Sequence, residues 1–551
     1  MNTLSGLDAT FLYLESPETP MHVGSLHLYE LPQGFKGSFH KAVTQHLAKR
    51  IHLAPIFNRK LAFMPLNLGH PGWVEADEVD LGFHVRKEPG RQLTVRQVEA
   101  RAAELHGQVM DRARPLWEFH VFDSVKGPNG ERLAGFYSKI HHAALDGKGG
   151  TVLANAILDL DPVPREVRPP DPKRKVPHES DLSLGDKIGS MFSGSLAQYV
   201  KLAKSLPSAV SSLGGALVRQ SVSGDAGKGL SNLRPKSPVT LAPKTIFNSA
   251  ITPKRSFATV SLSFAECRAM GKAVGGSFND IVLWICSTAL RTYLAQHGGI
   301  PKKPLLAAMP VSLREDGNTD MNTQASMTVV DLGTHLAHPM KRLNAIMTST
   351  AKVKSALVNL KNVLPTDYPS FLAPWVVGGV AKAAFKAYSG TSLPEHLPMM
   401  ANLAISNVPG PQVPLYLAGA KMLTYHPLSI VTHGLALNIT IQTYAGSVDF
   451  GLIADAKAVP DLQAMADAIQ AAFAEAQRLY ALTNPAPAAA PAPVPTRAAA
   501  TKSVVTPRPR VAKVTKSQTG LSKGTAKSAV KRVKAATVAP KSTPRKKTSR
   551  A

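Results

Sequence analysis

The chain has 551 residues, of which 44% are hydrophobic and 18% are charged. This composition is typical of a globular protein with a sizeable core and excludes a disordered or fibrous chain. Its two cysteines, Cys267 and Cys286, exclude a disulfide framework and favour a reducing compartment. The formal net charge of +27 is placed unevenly, because residues 481–551 hold sixteen Lys or Arg and no acidic residue, which leaves +11 for the rest.

The first residues lack the basic start and apolar core of a signal peptide. The nearest approach to a membrane span, residues 371–385, is interrupted by Pro374 and Lys382 and falls short of the roughly 18 apolar residues that a span requires. We therefore expect a cytoplasmic protein without signal peptide or transmembrane helix, either soluble or peripheral to a membrane or lipid inclusion.

The first third of the chain alternates helical and strand patterns. Asn129-Gly130 predicts a hairpin, and Trp117 is expected to pack in the core beneath the strand that follows that turn. Residues 25–31 alternate like an edge strand. The predicted helices lie at 4–15, 39–51 and 93–110, and the predicted strands at 25–31, 119–122 and 135–140. Residues 73–85 have a strand-like sequence that contains an acidic turn.

The last of these strands runs into a polar loop that carries His141, His142, Asp146 and Gly147, and an apolar helix follows at 151–157. A rigid strand and helix on either side hold such a loop while its side chains stay accessible, which favours chemistry at this position. One imidazole would transfer a proton, the carboxylate would brace the turn and the glycine would permit an unusual backbone angle.

Two other interpretations of the loop stay open on spacing alone. A His-His pair is often a satisfied surface or core pair. His141 to Asp146 also mimics a metal-ligand cluster, although no third ligand sits nearby and supporting cysteines are missing.

The composition changes between residues 162 and 244, where a Pro-rich linker precedes a stretch rich in Ser, Gly and basic residues. Residues 184–216 predict an amphipathic basic helix that breaks at Pro207. Such a helix would either cover the joint between two domains or dock on a lipid surface.

The second half again predicts alternating elements, including a helix that ends near Leu294 and is apolar on more than one face. Asn279-Asp280 stands at the start of that helix, where an N-cap is the ordinary role of such residues. The other predicted elements are strands at 259–264, 303–311, 404–411 and 444–455 and helices at 339–360 and 461–482.

The C-terminal tail is rich in Ala, Pro and Lys and has too few large apolar residues to offset the entropy of folding, so we expect it to be disordered. A polybasic tail binds polyanions, either the anionic lipids of a membrane or lipid-droplet surface or nucleic acid. No aromatic residue interleaves the charges, so base stacking is not indicated.

His-His-x-x-x-Asp-Gly at 141–147 resembles the active-site motif of CoA-dependent acyltransferases, a superfamily that includes chloramphenicol acetyltransferases and the condensation domains of peptide synthetases. Further strings, in order from about residue 4 to residue 480, resemble one family within it, the bacterial wax ester synthase/diacylglycerol acyltransferases. The N-terminal string consists of Leu-Ser-x-x-Asp at 4–8, Phe-Leu at 11–12, Glu15 and Pro-Met-His-Val-Gly at 20–24. The others are Pro-Leu-Trp at 115–117, Asn-Asp at 279–280, Pro-Val-Ser-Leu-Arg at 310–314, Ser-Asn-Val-Pro-Gly-Pro at 406–411 and Tyr-x-Gly-x-x-x-Phe-Gly at 444–451.

The resemblance implies an α/β fold of two chloramphenicol-acetyltransferase-like domains with mixed sheets and helices, an active-site tunnel at their interface and a disordered C-terminal tail. The expected organisation is an N-terminal acyltransferase domain at 1–165, a linker at 166–244, a C-terminal acyltransferase domain at 245–482 and the basic tail at 483–551.

The implied activity is transfer of a fatty acyl group from acyl-CoA to diacylglycerol or a long-chain alcohol. No metal and no cofactor are expected beyond acyl-CoA as co-substrate. An alcohol is a poor nucleophile at neutral pH, so a neutral imidazole must take its proton. By the family pattern His142 is that base and His141 orients the loop.

The remaining site residues also follow from the resemblance. Asn279 would stabilise the oxyanion, because an amide donor at a helix N-terminus suits that task, and capping is left to Asp280. Asp146 and Gly147 would shape the turn, and Glu15, which belongs to the N-terminal string, would help to tune the site.

Three rival functions remain at this stage. A condensation-type domain shares the His-His motif, but the chain has no carrier or adenylation module. A glycerol-3-phosphate-type acyltransferase uses a His and Asp at the spacing of His141 and Asp146, but its phosphate-binding arginine motif is missing. The third is a non-catalytic lipid- or nucleic-acid-binding protein whose tail carries the activity.

Overall fold

The computed structural model describes residues 2–63, 70–145, 149–170, 241–312, 325–360 and 399–483. These belong to one compact unit that ends at Pro487. The helices are α1 (Gly6–Leu14), α2 (Phe39–Ala48), α3 (Leu81–His84), α4 (Val95–His106), α5 (Gly149–Ile157), α6 (Phe264–Ala273), α7 (Phe278–Gln296), α8 (Pro339–Leu360) and α9 (Leu462–Thr483).

The strands fall into three sheets, of three, eight and six strands. They are β1 (Asn2–Thr3), β2 (His22–Glu30), β3 (Arg59–Ala62), β4 (Gly72–Glu75), β5 (Val85–Lys87), β6 (Leu93–Thr94), β7 (Trp117–Lys126), β8 (Arg132–His141), β9 (Arg255–Ser263), β10 (Leu306–Ser312), β11 (Ala325–Asp331), β12 (Leu403–Val408), β13 (Tyr416–Leu417), β14 (Ala420–Met422), β15 (His426–Leu428), β16 (Leu437–Tyr444) and β17 (Ser447–Asp455).

The eight-stranded sheet of the N-terminal half is mixed and centres on β8. Its order is β13-β14-β2-β8-β7-β5, with β15 also on β2 and β6 also on β7. The predicted hairpin at Asn129-Gly130 joins β7 to β8. Trp117 is fully buried and donates its indole N–H to the carbonyl oxygen of Phe57 at 3.1 Å, so the expected core role is confirmed.

The six-stranded sheet of the C-terminal half has the order β11-β10-β12-β16-β17-β9 and is also mixed. Its core includes α7, whose side chains are buried on nearly all sides, as a helix without a polar face must be. Helices α6, α8 and α9 pack around α7 and complete this core. The two sheets with their helices match the expected two-domain α/β architecture.

The two halves interlock through the segment that follows β12 in the chain. Strands β14 and β15 pair with β2, so Leu428 lies opposite Gly24 in the N-terminal sheet. Strand β15 also packs on β17, where a Cβ at Gly451 would lie 1.7 Å from the carbonyl oxygen of Pro427. Only glycine leaves room for this approach, which explains Gly451, the last residue of the Tyr-x-Gly-x-x-x-Phe-Gly string.

This pairing corrects one prediction. Residues 25–31 read as an edge strand, but β2 is an interior strand, because β14 and β15 cover the edge that the N-terminal half leaves open. Sequence alternation within β2 could not reveal a partner that follows it by almost 400 residues.

Most predicted helices form within a few residues of their expected ends. The helix at 339–360 is confirmed at both ends. The helix predicted at 93–110 is shorter, since a capping box between Thr94 and Gln97 starts it and Gly107 caps its end. The strand-like stretch at 73–85 forms β4 and the start of β5, with the acidic residues between them as expected. The short helix α3, which Asp80 caps, was not expected there.

Several predictions fall outside the described residues. These are the amphipathic helix at 184–216 and the C-terminal tail from residue 484 onwards. Within the described ranges, no single helix is long and apolar enough to span a membrane; α6 and α7 meet that test only together, with a 102° bend between them. In the same ranges, no group of three or more His, Cys, Asp or Glu residues could hold a metal ion.

Candidate active site

The two histidines lie where β8 ends between two neighbouring loops. His141 is the last residue of β8, and its backbone N–H donates to the carbonyl oxygen of Leu116 at 3.0 Å. His142 begins a single 3₁₀ turn, and its backbone N–H donates to the carbonyl oxygen of Met21 at 2.8 Å. Nδ1 of His141 accepts the N–H of Ala143 at 3.1 Å and so caps that turn. The backbone that carries both rings is therefore tied on each side.

His141 lies in what we call the Glu15 cluster, formed by Glu15, Met21, Arg112 and His141. The His141 ring is fully buried, and its Nε2 lies 3.3 Å from Oε1 of Glu15, without the alignment of a hydrogen bond. The same Oε1 accepts the Met21 N–H at 3.0 Å. Oε2 accepts two N–H groups of Arg112, at 3.0 and 2.7 Å.

The Glu15 cluster holds a carboxylate that stays ionised. Burial by itself would raise the pKa of Glu15, but the His141 ring, the Met21 N–H and the Arg112 guanidinium outweigh burial and lower the pKa to about 2. The Glu15 side chain is only 4% exposed, so this charge acts with little screening by water. The carboxylate thereby contacts both residues that position His142. Met21 accepts the backbone N–H of His142, and His141 precedes it in the chain.

His142 has very different surroundings from its neighbour. Its ring stacks on Phe11 of α1, with ring centroids 3.9 Å apart and an interplanar angle of 17°. Its Nδ1 is buried and has no hydrogen-bond partner among the residues that the structure describes. Burial, aided by the charge of His141, lowers the pKa of His142 to about 4. At neutral pH the ring is uncharged and keeps a lone pair with which to accept a proton.

Asn279 is the second residue of α7 and lies in the C-terminal half. Its Oδ1 accepts an N–H from the side chain of Asn407, at the end of β12, at 3.2 Å. We call these two residues the amide pair. In this orientation, the NH₂ group of Asn279 is left to donate elsewhere.

The start of α7 shows that Asn279 is not needed as a cap. Ser277 is the N-cap, and its side chain accepts the N–H of Asp280 at 3.2 Å. The Asp280 carboxylate accepts the Ser277 N–H at 2.8 Å in return, which completes a capping box. Asp280 shares in capping as expected, but the N-cap position itself belongs to Ser277.

The structure thus brings some of the predicted site residues together and leaves others apart. It joins Glu15 to His141 and places His142 next to them. No hydrogen bond or ring contact among the described residues links Asn279 to either histidine. Asp146 and Gly147 lie outside the described residues, and the predicted tunnel at His142 stays a prediction.

Three residues of the site escaped sequence reasoning. Arg112 lies three residues before the Pro-Leu-Trp string, and nothing in its own position indicated a partner near residue 15. Phe11 belongs to the N-terminal string but reads as an ordinary core aromatic. Asn407 lies inside the Ser-Asn-Val-Pro-Gly-Pro string, and its signal was therefore present in the sequence without an assigned role.

Comparison with known proteins now decides the family. The model of the wax ester synthase/diacylglycerol acyltransferase catalytic domain matches residues 4–282, and the model of the C-terminal domain of the same family matches residues 322–477. The chain belongs to the wax ester synthase/diacylglycerol acyltransferase family. It is therefore grouped with acyltransferases, as the ordered strings implied.

Individual relatives agree with this membership. A Mycobacterium tuberculosis protein provisionally named a diacylglycerol O-acyltransferase is 33% identical over 489 residues, which cover 87% of this chain and all of that protein. The O-acyltransferase WSD of Acinetobacter baylyi is 33% identical over 471 residues, which cover 84% of this chain and 94% of WSD. The solved wax ester synthase/diacylglycerol acyltransferase from Marinobacter aquaeolei VT8 is 28% identical, with a TM-score of 0.59 over 87% of this chain and 99% of that structure.

Proposed function

We propose that the protein transfers a fatty acyl group from acyl-CoA to the hydroxyl group of diacylglycerol or a long-chain alcohol, with His142 as general base. Membership of the family supports the reaction class. The observation that carries the role of His142 is its uncharged ring, which lies beside a buried carboxylate cluster that fixes the backbone around it.

The proposed reaction needs one proton to move twice. His142 takes the proton of the alcohol while the alcohol oxygen bonds to the thioester carbonyl carbon, which gives a tetrahedral oxyanion. When that intermediate collapses, the carbon–sulfur bond breaks and the imidazolium returns the proton to the departing CoA thiolate. The ester forms in one substrate complex, so no covalent acyl-enzyme is required.

Other residues would support this step without exchanging protons. The free NH₂ group of Asn279 is suited to donate to the oxyanion, since Asn407 already occupies its carbonyl oxygen. The Glu15 cluster would hold the loop and keep His141 in place. Its carboxylate would also offset the positive charge that His142 gains during the reaction, which is a long-range effect of a poorly screened charge.

The test is turnover by the purified protein with palmitoyl-CoA and either hexadecanol or diolein, followed by thiol release and by the lipid product. We expect His142→Ala to lower kcat by about a hundredfold or more, the usual scale for a lost general base. His52→Ala is the matched control, because the His52 ring forms an exposed hydrogen bond with the carbonyl oxygen of Arg168 at 2.8 Å, away from the Glu15 cluster. Near-normal turnover in a folded His142→Ala protein would refute the assignment.

We also propose that the basic tail at 483–551 attaches the enzyme to an anionic lipid surface, at about 1 kcal/mol for each Lys or Arg that reaches it. Removal of residues 484–551 should abolish flotation with phosphatidylglycerol vesicles while soluble-substrate turnover continues. A full-length protein that binds vesicles through its tail but shows no turnover would instead be a binding protein. Retention of RNA or DNA in place of vesicles would identify nucleic acid as the partner.

A further inference from the structure

A pocket of about 520 Å³ opens beside the amide pair in the C-terminal half. Its walls come from α6, the start of α7, the turn after β12 and the end of β16. The volume lies within the range of about 300 to 1,000 Å³ that is typical of small-molecule sites. Neither the proposed mechanism nor the family strings assign a ligand to it.

Two cations of α6 line this pocket. Arg268 and Lys272 are four residues apart, so their side chains lie on the same face of the helix. Both are exposed, and neither forms an ion pair with any residue in the described ranges. No acidic side chain is among the lining residues. Two like charges at this spacing repel each other, which destabilises the helix slightly. An anion bound between them would offset this repulsion.

Asn407 connects the pocket to Asn279, the residue assigned to the oxyanion. Asn407 lines the pocket and also donates the hydrogen bond to Oδ1 of Asn279. A hydrogen bond ties the adjoining wall to β16, since the N–H of Gly410 donates to Oγ1 of Thr443 at 3.0 Å. A Cβ at Gly410 would lie 2.2 Å from the carbonyl oxygen of Thr443, so glycine is required for this close approach.

The pocket also offers an apolar surface next to its charges. The rings of Phe264 and Phe278 line it, with centroids 5.1 Å apart in an edge-to-face arrangement. Two cations beside aromatic rings suit a ligand that joins phosphate groups to a flat heterocycle. A phospholipid headgroup carries phosphate but no heterocycle, which makes it the poorer match.

We propose that this pocket binds the phosphorylated nucleotide end of the acyl-CoA donor, with Arg268 and Lys272 on its phosphate groups. The inference rests on the proposed function and names the part of the chain that would recognise CoA. The thioester end of the same molecule would then point past Asn407 towards Asn279. A bound CoA molecule would thereby connect the anion site to the residue assigned to the oxyanion.

The first experiment compares ligands on the unaltered protein by calorimetry, which requires no turnover. We expect CoA to bind at least about tenfold more tightly than dephospho-CoA, and its affinity to fall as NaCl rises. Equal affinity for the two ligands would overturn the proposal. Because binding is measured directly, CoA binding by a protein without transferase activity would refute the proposed function and leave this site standing.

The second experiment uses the double variant Arg268→Gln/Lys272→Gln, with Lys302→Gln/Lys303→Gln as the control of equal charge change. In the first variant we expect the KM for palmitoyl-CoA to rise about tenfold more than the KM for palmitoyl-pantetheine, which lacks the nucleotide. The control should leave the ratio of the two KM values unchanged. An unchanged ratio in both variants, or loss of phosphatidylglycerol-vesicle binding with CoA affinity intact, would overturn the proposal.

Discussion

The Glu15 cluster and the amide pair hold their residues in different ways. In the N-terminal half, a buried carboxylate accepts N–H groups from Arg112 and Met21 and lies beside the His141 ring. In the C-terminal half, one hydrogen bond between two half-buried neutral amides orients Asn279. Loss of one partner from a buried charged cluster leaves a charge unpaired, which costs several kcal/mol of stability. Loss of a neutral, half-buried amide removes one hydrogen bond, which costs about 1 kcal/mol. Damage to the first region should therefore appear in stability, and damage to the second mainly in rate.

The largest expected effect is on the rate, at the amide pair. Asn279→Ala should lower kcat by about a hundredfold, the scale of a lost oxyanion donor. Its free energy of unfolding should change by less than about 1 kcal/mol, because the capping box of Ser277 and Asp280 stays intact. Steady-state kinetics and urea denaturation of the same preparation test both parts. A folded variant with normal kcat would remove Asn279 from the mechanism.

The next effect is on stability, at the Glu15 cluster. Glu15→Gln should lower the free energy of unfolding by about 3 kcal/mol, because the buried His141 and the Arg112 guanidinium lose their anionic partner. Glu104→Gln is the matched control: Glu104 also pairs with an arginine, but its side chain is 64% exposed, so the cost should stay below about 1 kcal/mol. Equal costs for the two variants would contradict the contrast between the regions.

The same variant should change the acid sensitivity of the fold. The pKa of Glu15 is about 2 in the folded protein, below the ordinary value of 4.5, so folding favours the ionised carboxylate. The stability that it contributes is present above about pH 4.5 and is lost as the pH falls towards 2. The difference in unfolding free energy between wild type and Glu15→Gln should therefore shrink across that window. A difference that stays constant with pH would assign the effect of the variant to packing.

Much of the fold followed from local sequence patterns. Regular apolar spacing placed α2, and the buried α7 was expected because a helix without a polar face needs cover on all sides. The strings then indicated the family. What local patterns could not supply was the pairing of β14 and β15 with β2, since that contact joins residues far apart in the chain.

For the candidate site as well, the strings indicated some features and only the structure supplies the others. His142 and Asn279 were chosen from strings, and the structure supplies their surroundings: an aromatic stack for one ring and an amide partner for the other side chain. The contacts between residue 15 and residues 112 and 141 arise only when α1 folds against the end of β8. The low pKa of His142 is likewise a product of burial, which spacing along the chain does not report.

That low pKa gives a prediction for the unaltered enzyme. A free histidine titrates near 6.5, but His142 becomes protonated only near pH 4. The value of kcat/KM should thus be nearly constant between about pH 5.5 and 8, because the base stays neutral throughout that range. An acid limb centred near pH 6.5 would show that the catalytic ring is solvated like an ordinary surface histidine.

The smallest expected effect comes from the stack on His142. Phe11→Leu keeps an apolar side chain but removes the ring that covers His142, so water reaches the imidazole more easily and its pKa should rise by less than about one unit. The acid limb of kcat/KM should move to higher pH by that amount, with a loss of at most about tenfold in kcat at pH 7.5. Tyr13→Phe on the same helix is the control, since Tyr13 contacts His70 rather than His142. A limb that moves to lower pH would mean that Phe11 favours the charged ring of His142, which would contradict the shielding role assigned to Phe11.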